Sequence, residues 1–104
     1  MKSAVLFLSS LLFSTNVLAC YTQAVSIYTE TMNERRHDNI HVYKEAVQLK
    51  SGQSYDSYGV IFEYEQDVLI YEGSSEFMSG FGVEAIVLEP NTCRLIEMVQ
   101  VYAE

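Results

Sequence analysis

Apolar residues fall along this chain in three rhythms. The first is a block: Lys2 precedes a mainly apolar run from Ala4 to Phe13, a short polar hinge follows (Ser14, Thr15, Asn16), and Val17-Leu18-Ala19-Cys20 closes it. A positive start, an apolar middle and small residues before a cut are the layout of a secretory signal peptide. The run is too short to span a bilayer as a mature helix. Residues 1–19 are therefore read as a removed address, with residues 20–104 as a single exported domain.

The second rhythm is helical. Over residues 21–33, Tyr21, Ala24, Val25, Tyr28 and Met32 share one face while Thr22, Gln23, Ser26, Thr29, Glu30 and Asn33 share the other. The β-branched residues Thr22, Val25, Ile27, Thr29 and Thr31 would also suit a strand, but the period favours a helix. Glu34-Arg35-Arg36-His37 is a charged connection. Asp38 or Asn39 then caps a predicted second helix through about Ser51, with Val42, Tyr43, Ala46, Val47 and Leu49 on its apolar face and Gly52 as its left-handed stop.

The third rhythm is alternation. Tyr58, Val60, Phe62 and Tyr64 predict a half-buried strand, and Glu65-Gln66-Asp67 turns the chain into Val68 to Tyr71. A ten-residue loop is expected from Gly73 to Gly82, then a strand from Val83 to Leu88. A turn with Pro90 at its second position leads to a last strand from about Cys93 to Tyr102. Helices first and hairpins after predict an α+β domain, with one or two N-terminal helices packed on a four-stranded antiparallel sheet. Cystatin-like folds are of this type; the likeness is one of architecture and carries no motif.

Ile61, Leu69, Tyr71, Ile86, Leu88, Ile96 and Met98 are apolar where a one-sided sheet should be polar, so the second sheet face is expected to be covered. A partner, a second copy or a ligand could cover it, or else the N-terminal segment or the loop from Gly73.

Composition narrows the partners. Without the leader 85 residues remain, one small domain that buries roughly 60–65 % of its unfolded surface and benefits from a covalent staple. Fourteen acidic residues stand against five basic ones once Lys2 is gone, a net charge near −9. Nucleic acid and anionic lipid would be repelled; a basic protein, a cation or a neutral ligand would not. Two cysteines in an exported chain predict a Cys20–Cys93 disulfide closing a loop of 74 residues. The competing reading is a lipoprotein acylated at Cys20. Val17-Leu18-Ala19-Cys20 resembles a lipobox only loosely, and Tyr21 begins a patterned segment where a flexible tether is usual.

No catalytic, cofactor or metal motif stands out. His37 and His41 are four apart, but the expected cap lies between them and Arg35 and Arg36 would repel a cation. Glu63, Glu65, Asp67 and Glu72 read as a solvated cluster guarding a hairpin. Gly80-Phe81-Gly82 lacks the third glycine and following helix of a phosphate loop, and no serine sits in a nucleophile elbow. Phe77, Met78 and Phe81, in the expected glycine-flanked loop, are the candidate partner-binding residues. These features together predict a small acidic exported binding protein, periplasmic or secreted, inhibitor- or immunity-like and not an enzyme. A self-associating structural protein and a small-ligand carrier or enzyme are the alternatives.

Overall fold

A computed structural model describes residues 20–104 of the chain; the leader expected over residues 1–19 lies outside the described residues. A helix (α1) covers residues 20–34. Seven strands follow: β1 (Asp38–Val42), β2 (Val47–Leu49), β3 (Ser54–Ser57), β4 (Val60–Glu63), β5 (Val68–Phe77), β6 (Gly80–Leu88) and β7 (Leu95–Ala103). The main sheet is antiparallel with order β1-β5-β6-β7, and β2 continues the β1 edge along β5 to make five strands. β3 and β4 form a separate hairpin. The protein is thus α+β, one helix on a multi-stranded antiparallel sheet.

The helical rhythm of the first segment is realised. Cys20, Ala24, Tyr28 and Met32, spaced at i, i+4, are all fully buried against Val42, Leu69, Tyr71, Ile86 and Leu88. The helix ends in a Schellman turn: Arg36 takes a left-handed φ of 62°, the Arg36 N–H donates to Asn33 O and the His37 N–H to Met32 O.

The second predicted helix, from Asp38 or Asn39 to Ser51, is absent. Those residues form β1 and β2 along the edge of β5. Val42 pairs with Gly73 and Leu49 with Val68, positions of opposite parity on β5, so the pleat turns Val42 into the helix-side core and Leu49 into the opposite one. Apolar residues divided between the two faces of an edge in this way imitate helical spacing, and pairing satisfies the backbone groups along the outer edge of β5, which a helix here would leave unpaired. Gly52 is left-handed as expected (φ 82°), but in the turn between β2 and β3.

The ten-residue loop expected over Gly73–Gly82 is also replaced, by the middle of the longest hairpin. β5 runs on to Phe77, and Met78-Ser79 alone connects it to Gly80. Gly73 is there for close approach: a Cβ on it would lie 2.7 Å from the Tyr28 ring, which rests on the bare strand.

Both faces of β5 and β6 are buried. Leu69, Tyr71, Ile86 and Leu88 face the helix, while Val68, Ile70, Val83, Ala85 and Val87 pack with Phe62 and Leu49 and with the flanks of Tyr55, Val60 and Tyr64. The face carrying Leu69, Tyr71, Ile86, Leu88 and Met98 is covered from within the chain by the N-terminal helix, one of the expected covers, while the β3–β4 hairpin covers the opposite face and leaves Ile61 exposed.

The Cys20–Cys93 disulfide, Cα atoms 5.0 Å apart, pins the first described helical residue to the turn before β7. It closes a separation of 73 residues, for which chain entropy gives about 4 kcal/mol. Reduction, or Cys93→Ser, should lower the unfolding free energy by that order, read from urea denaturation followed by far-UV circular dichroism with and without reductant. Gly73→Ala should cost about 1–3 kcal/mol by driving Tyr28 off the sheet, read as a lower melting temperature.

Candidate functional site

The two faces of the sheet carry different polar chemistry. On the helix side lies a closed network. Gly73 and Glu84 are directly paired across β5 and β6, and with no side chain on Gly73 the Tyr28 ring crosses it. The Tyr28 hydroxyl then donates to Glu84 Oε1 at 2.5 Å. Ser75 Oγ stands 3.3 Å from that hydroxyl, 2.9 Å from His37 Nδ1 and 3.3 Å from Met32 Sδ. The Schellman turn directs His37 inward, where its ring also stacks on Phe77 with centroids 5.0 Å apart. Burial, and then donation to Glu84, raises the Tyr28 pKa well above that of an ordinary phenol.

Ser75 beside a histidine is a nucleophile-and-base pairing in outline. Yet Ser75 and Glu84 are each 1 % exposed beneath Tyr28 and Met32, so Ser75 lacks the open side that an attacking oxygen needs. Among the described residues Glu84 Oε2 has no hydrogen-bond partner. The network locks helix to sheet, and its polar members orient one another.

On the hairpin side lies an open cleft of about 320 Å³. Val47 and Ile70 line it along with Tyr43, Tyr55, Tyr58, Glu45 and Glu72. The Tyr43 N–H donates to Glu72 O at 2.9 Å, which continues the edge pairing past β1. Ser57 and Tyr55 both donate to Glu72 Oε2, the latter at 3.3 Å. Burial and the Glu72 charge raise the Tyr55 pKa. Each ring is braced by another: Tyr43 edge-on to His41 at 4.6 Å, Tyr58 against Tyr102 at 5.3 Å, Tyr55 near Phe62 at 6.4 Å.

Tyr58 is also held at a backbone cost. It and Gly59 form the two-residue β3–β4 turn with φ values of 53° and 85°. That is a type I′ geometry, which favours Asn-Gly and disfavours a bulky first residue. A second cleft of about 290 Å³, at the foot of the sheet, is lined by Gln48, Gln66, Pro90 and Asn91. Its charges are already engaged, Lys50 with Asp67 at 3.5 Å, and it has no aromatic wall.

The structure disperses the other sequence candidates. Phe77 ends β5 on the helix side, Phe81 lies on the hairpin side against Tyr102 (5.4 Å), and Met78 stands fully exposed at the tip between them. Met78 too is left-handed (φ 53°). His37 and His41 belong to separate elements with separate neighbours, Ser75 and Tyr43. Of the acidic cluster, Asp67 accepts from the Ser51 N–H and pairs with Lys50, while Glu72 is half-buried under Tyr55 and Ser57. Glu84 had a visible signal, a lone acid inside the apolar run Val83–Leu88. Tyr58, which alternation places at the head of a strand, instead forms the β3–β4 turn with Gly59, and nothing local pointed to its partners across the cleft.

No family model, no curated protein and no solved structure matches this chain.

Tyr71, sealed under the helix, has a pKa pushed up to about 12 by burial, and Tyr28 is raised further. Their unfolded pKa is about 10. The neutral phenols therefore stabilise the fold in full below about pH 10, and this contribution is lost as pH climbs from there through 12. Tyr28→Phe should cost roughly 1–3 kcal/mol at neutral pH by leaving Glu84 without its donor. It should also flatten the alkaline loss of stability, measured as urea midpoints against pH.

Proposed function

We propose that this protein is an exported, acidic binding protein whose hairpin side engages a basic polypeptide. Its helix-on-antiparallel-sheet plan is read as cystatin-like in type. The carrying observation is the interleaving of tyrosines and carboxylates on that side. Tyr55 donates to Glu72, Tyr64 to Glu97 at 2.5 Å and Tyr102 to Glu104 at 3.2 Å, with Tyr43 and Tyr58 exposed beside them. Tyrosine brings large contact area at little entropic cost, and an excess of carboxylates steers a cationic partner and rejects nucleic acid.

Basic side chains are sparse here. Lys50 and Arg94 pair with Asp67 and Glu89, Arg35 and Arg36 lie at the helix end, and of the described basic residues only Lys44, between Tyr43 and Glu45, adjoins the cleft. The face that motivated self-association is covered within the chain, and the space between helix and sheet is filled by Tyr28, Met32, Tyr71 and Ile86. Binding is thus favoured over a structural polymer, a carrier or an enzyme. Met78 at the hairpin tip serves as an outlying apolar contact, with Phe77 and Phe81 shaping the tip from opposite faces. Export rests on the leader pattern and agrees with the disulfide and with the lack, among the described residues, of a helix long and apolar enough to cross a membrane. The sulfur that a lipid anchor would need is the one Cys20 shares with Cys93.

Titration of the ¹⁵N-labelled protein with a Lys- and Arg-rich decapeptide should shift amides of β3, β4 and the 43–47 connection, and affinity should fall at least tenfold at high salt. An acidic decapeptide should shift none. Shifts confined to the helix side, or none with the basic peptide, would sink the proposal.

A further inference from the structure

Resting on the reading above, the geometry points to the cleft between Tyr43, Tyr55 and Tyr58 as the seat of a single arginine side chain of that basic partner. The volume, about 320 Å³, suits one long side chain and not a folded element. Val47 and Ile70 give the cleft apolar surface along which a methylene stem can lie, and the three tyrosines give it aromatic faces. A planar guanidinium stacks on such faces and is attracted by them.

Glu72 supplies the counter-charge. Both hydroxyl donors, Ser57 and Tyr55, converge on Oε2, which orients the carboxylate and leaves Oε1 to a ligand. Half-buried, it is less screened than a surface carboxylate, so an ion pair made there is stronger. Glu45 adds a second negative charge at the cleft, partly offset by Lys44, the residue before it.

Preorganisation is the second argument. The rings of Tyr43, Tyr55 and Tyr58 are each braced by a neighbouring ring, so little side-chain entropy remains to be lost on binding. Tyr58 occupies a left-handed turn position where asparagine would be more stable, and is 60 % exposed nonetheless. A bulky residue kept at such a position with most of its ring left exposed marks a site where the side chain itself is used.

The test uses the purified protein and a decapeptide of alternating Arg and Gly, with affinities read by ¹⁵N amide shifts. Tyr58→Asn should weaken binding about five- to tenfold while the melting temperature holds or rises, because Asn relieves the turn. Glu72→Gln, which keeps an oxygen acceptor for Ser57 and Tyr55, should weaken it about tenfold with the fold intact. Replacing each Arg of the peptide by citrulline, its neutral isostere, should abolish measurable binding, and a Lys-Gly peptide should bind several-fold more weakly. Equal binding of the Arg and Lys peptides overturns the assignment to guanidinium. Wild-type affinity in both variants overturns the cleft as the seat but leaves the acidic binding surface standing. Failure of the wild-type protein to bind the Arg-Gly peptide overturns both.

Discussion

Burial of both faces of the β5–β6 hairpin is the constraint on which this structure turns. Val68 to Tyr71 and Val83 to Leu88 are buried without interruption, so neither sheet face can be left to water. Among the described residues α1 covers one face and the β3–β4 hairpin the other. The disulfide strengthens the first of these covers by tying Cys20, the first described residue of the helix, to Cys93 at the foot of β7. The edge formed by β1 and β2 stays in the plane of the sheet, and its pleat contributes Val42 to one core and Leu49 to the other.

The two covers leave different surfaces. A helix lying flat on the sheet seals what is under it, and so Tyr28, Ser75, His37 and Glu84 form an inward-facing network with Glu84 Oε2 left unpartnered. A buried polar network of this kind specifies one docking of helix on sheet, because any slip would strand its donors and acceptors in an apolar layer. A two-stranded hairpin is narrower than the sheet it covers. Beside it remains the cleft walled by Tyr43, Tyr55 and Tyr58, and there polar groups meet solvent with their geometry already set.

The positions of strain agree with this division. Asn39 and Gly52 take left-handed conformations that suit those residues. Tyr58 and Met78 take them as bulky, exposed side chains at the tips of the two hairpins. Neither gains burial in exchange, which sets both apart from Tyr28 and Tyr71, whose rings are wholly enclosed. Chemistry that stabilises the fold is on the helix side; chemistry offered outward is on the hairpin side.

Local pattern determined a good part of this. The i, i+4 spacing of Cys20, Ala24, Tyr28 and Met32 specified the helix, the apolar runs specified that β5 and β6 are buried on both sides, and an even pair of cysteines specified their pairing. These properties depend on near neighbours or on counting. The segment 38–51 and the stretch Gly73–Gly82 depart from their local pattern for one reason: their local rhythm is ambiguous and long-range pairing resolves it. Val42 and Leu49 look like one helical face until β5 pairs with each separately, and Gly73 looks like a loop residue until the Tyr28 ring lies on it. Tertiary structure alone decided which carboxylates matter, since Glu72 and Glu84 gain their surroundings from residues 15 to 56 positions away. A side chain's partners across a sheet are set by register and layer order, and no window of sequence contains either.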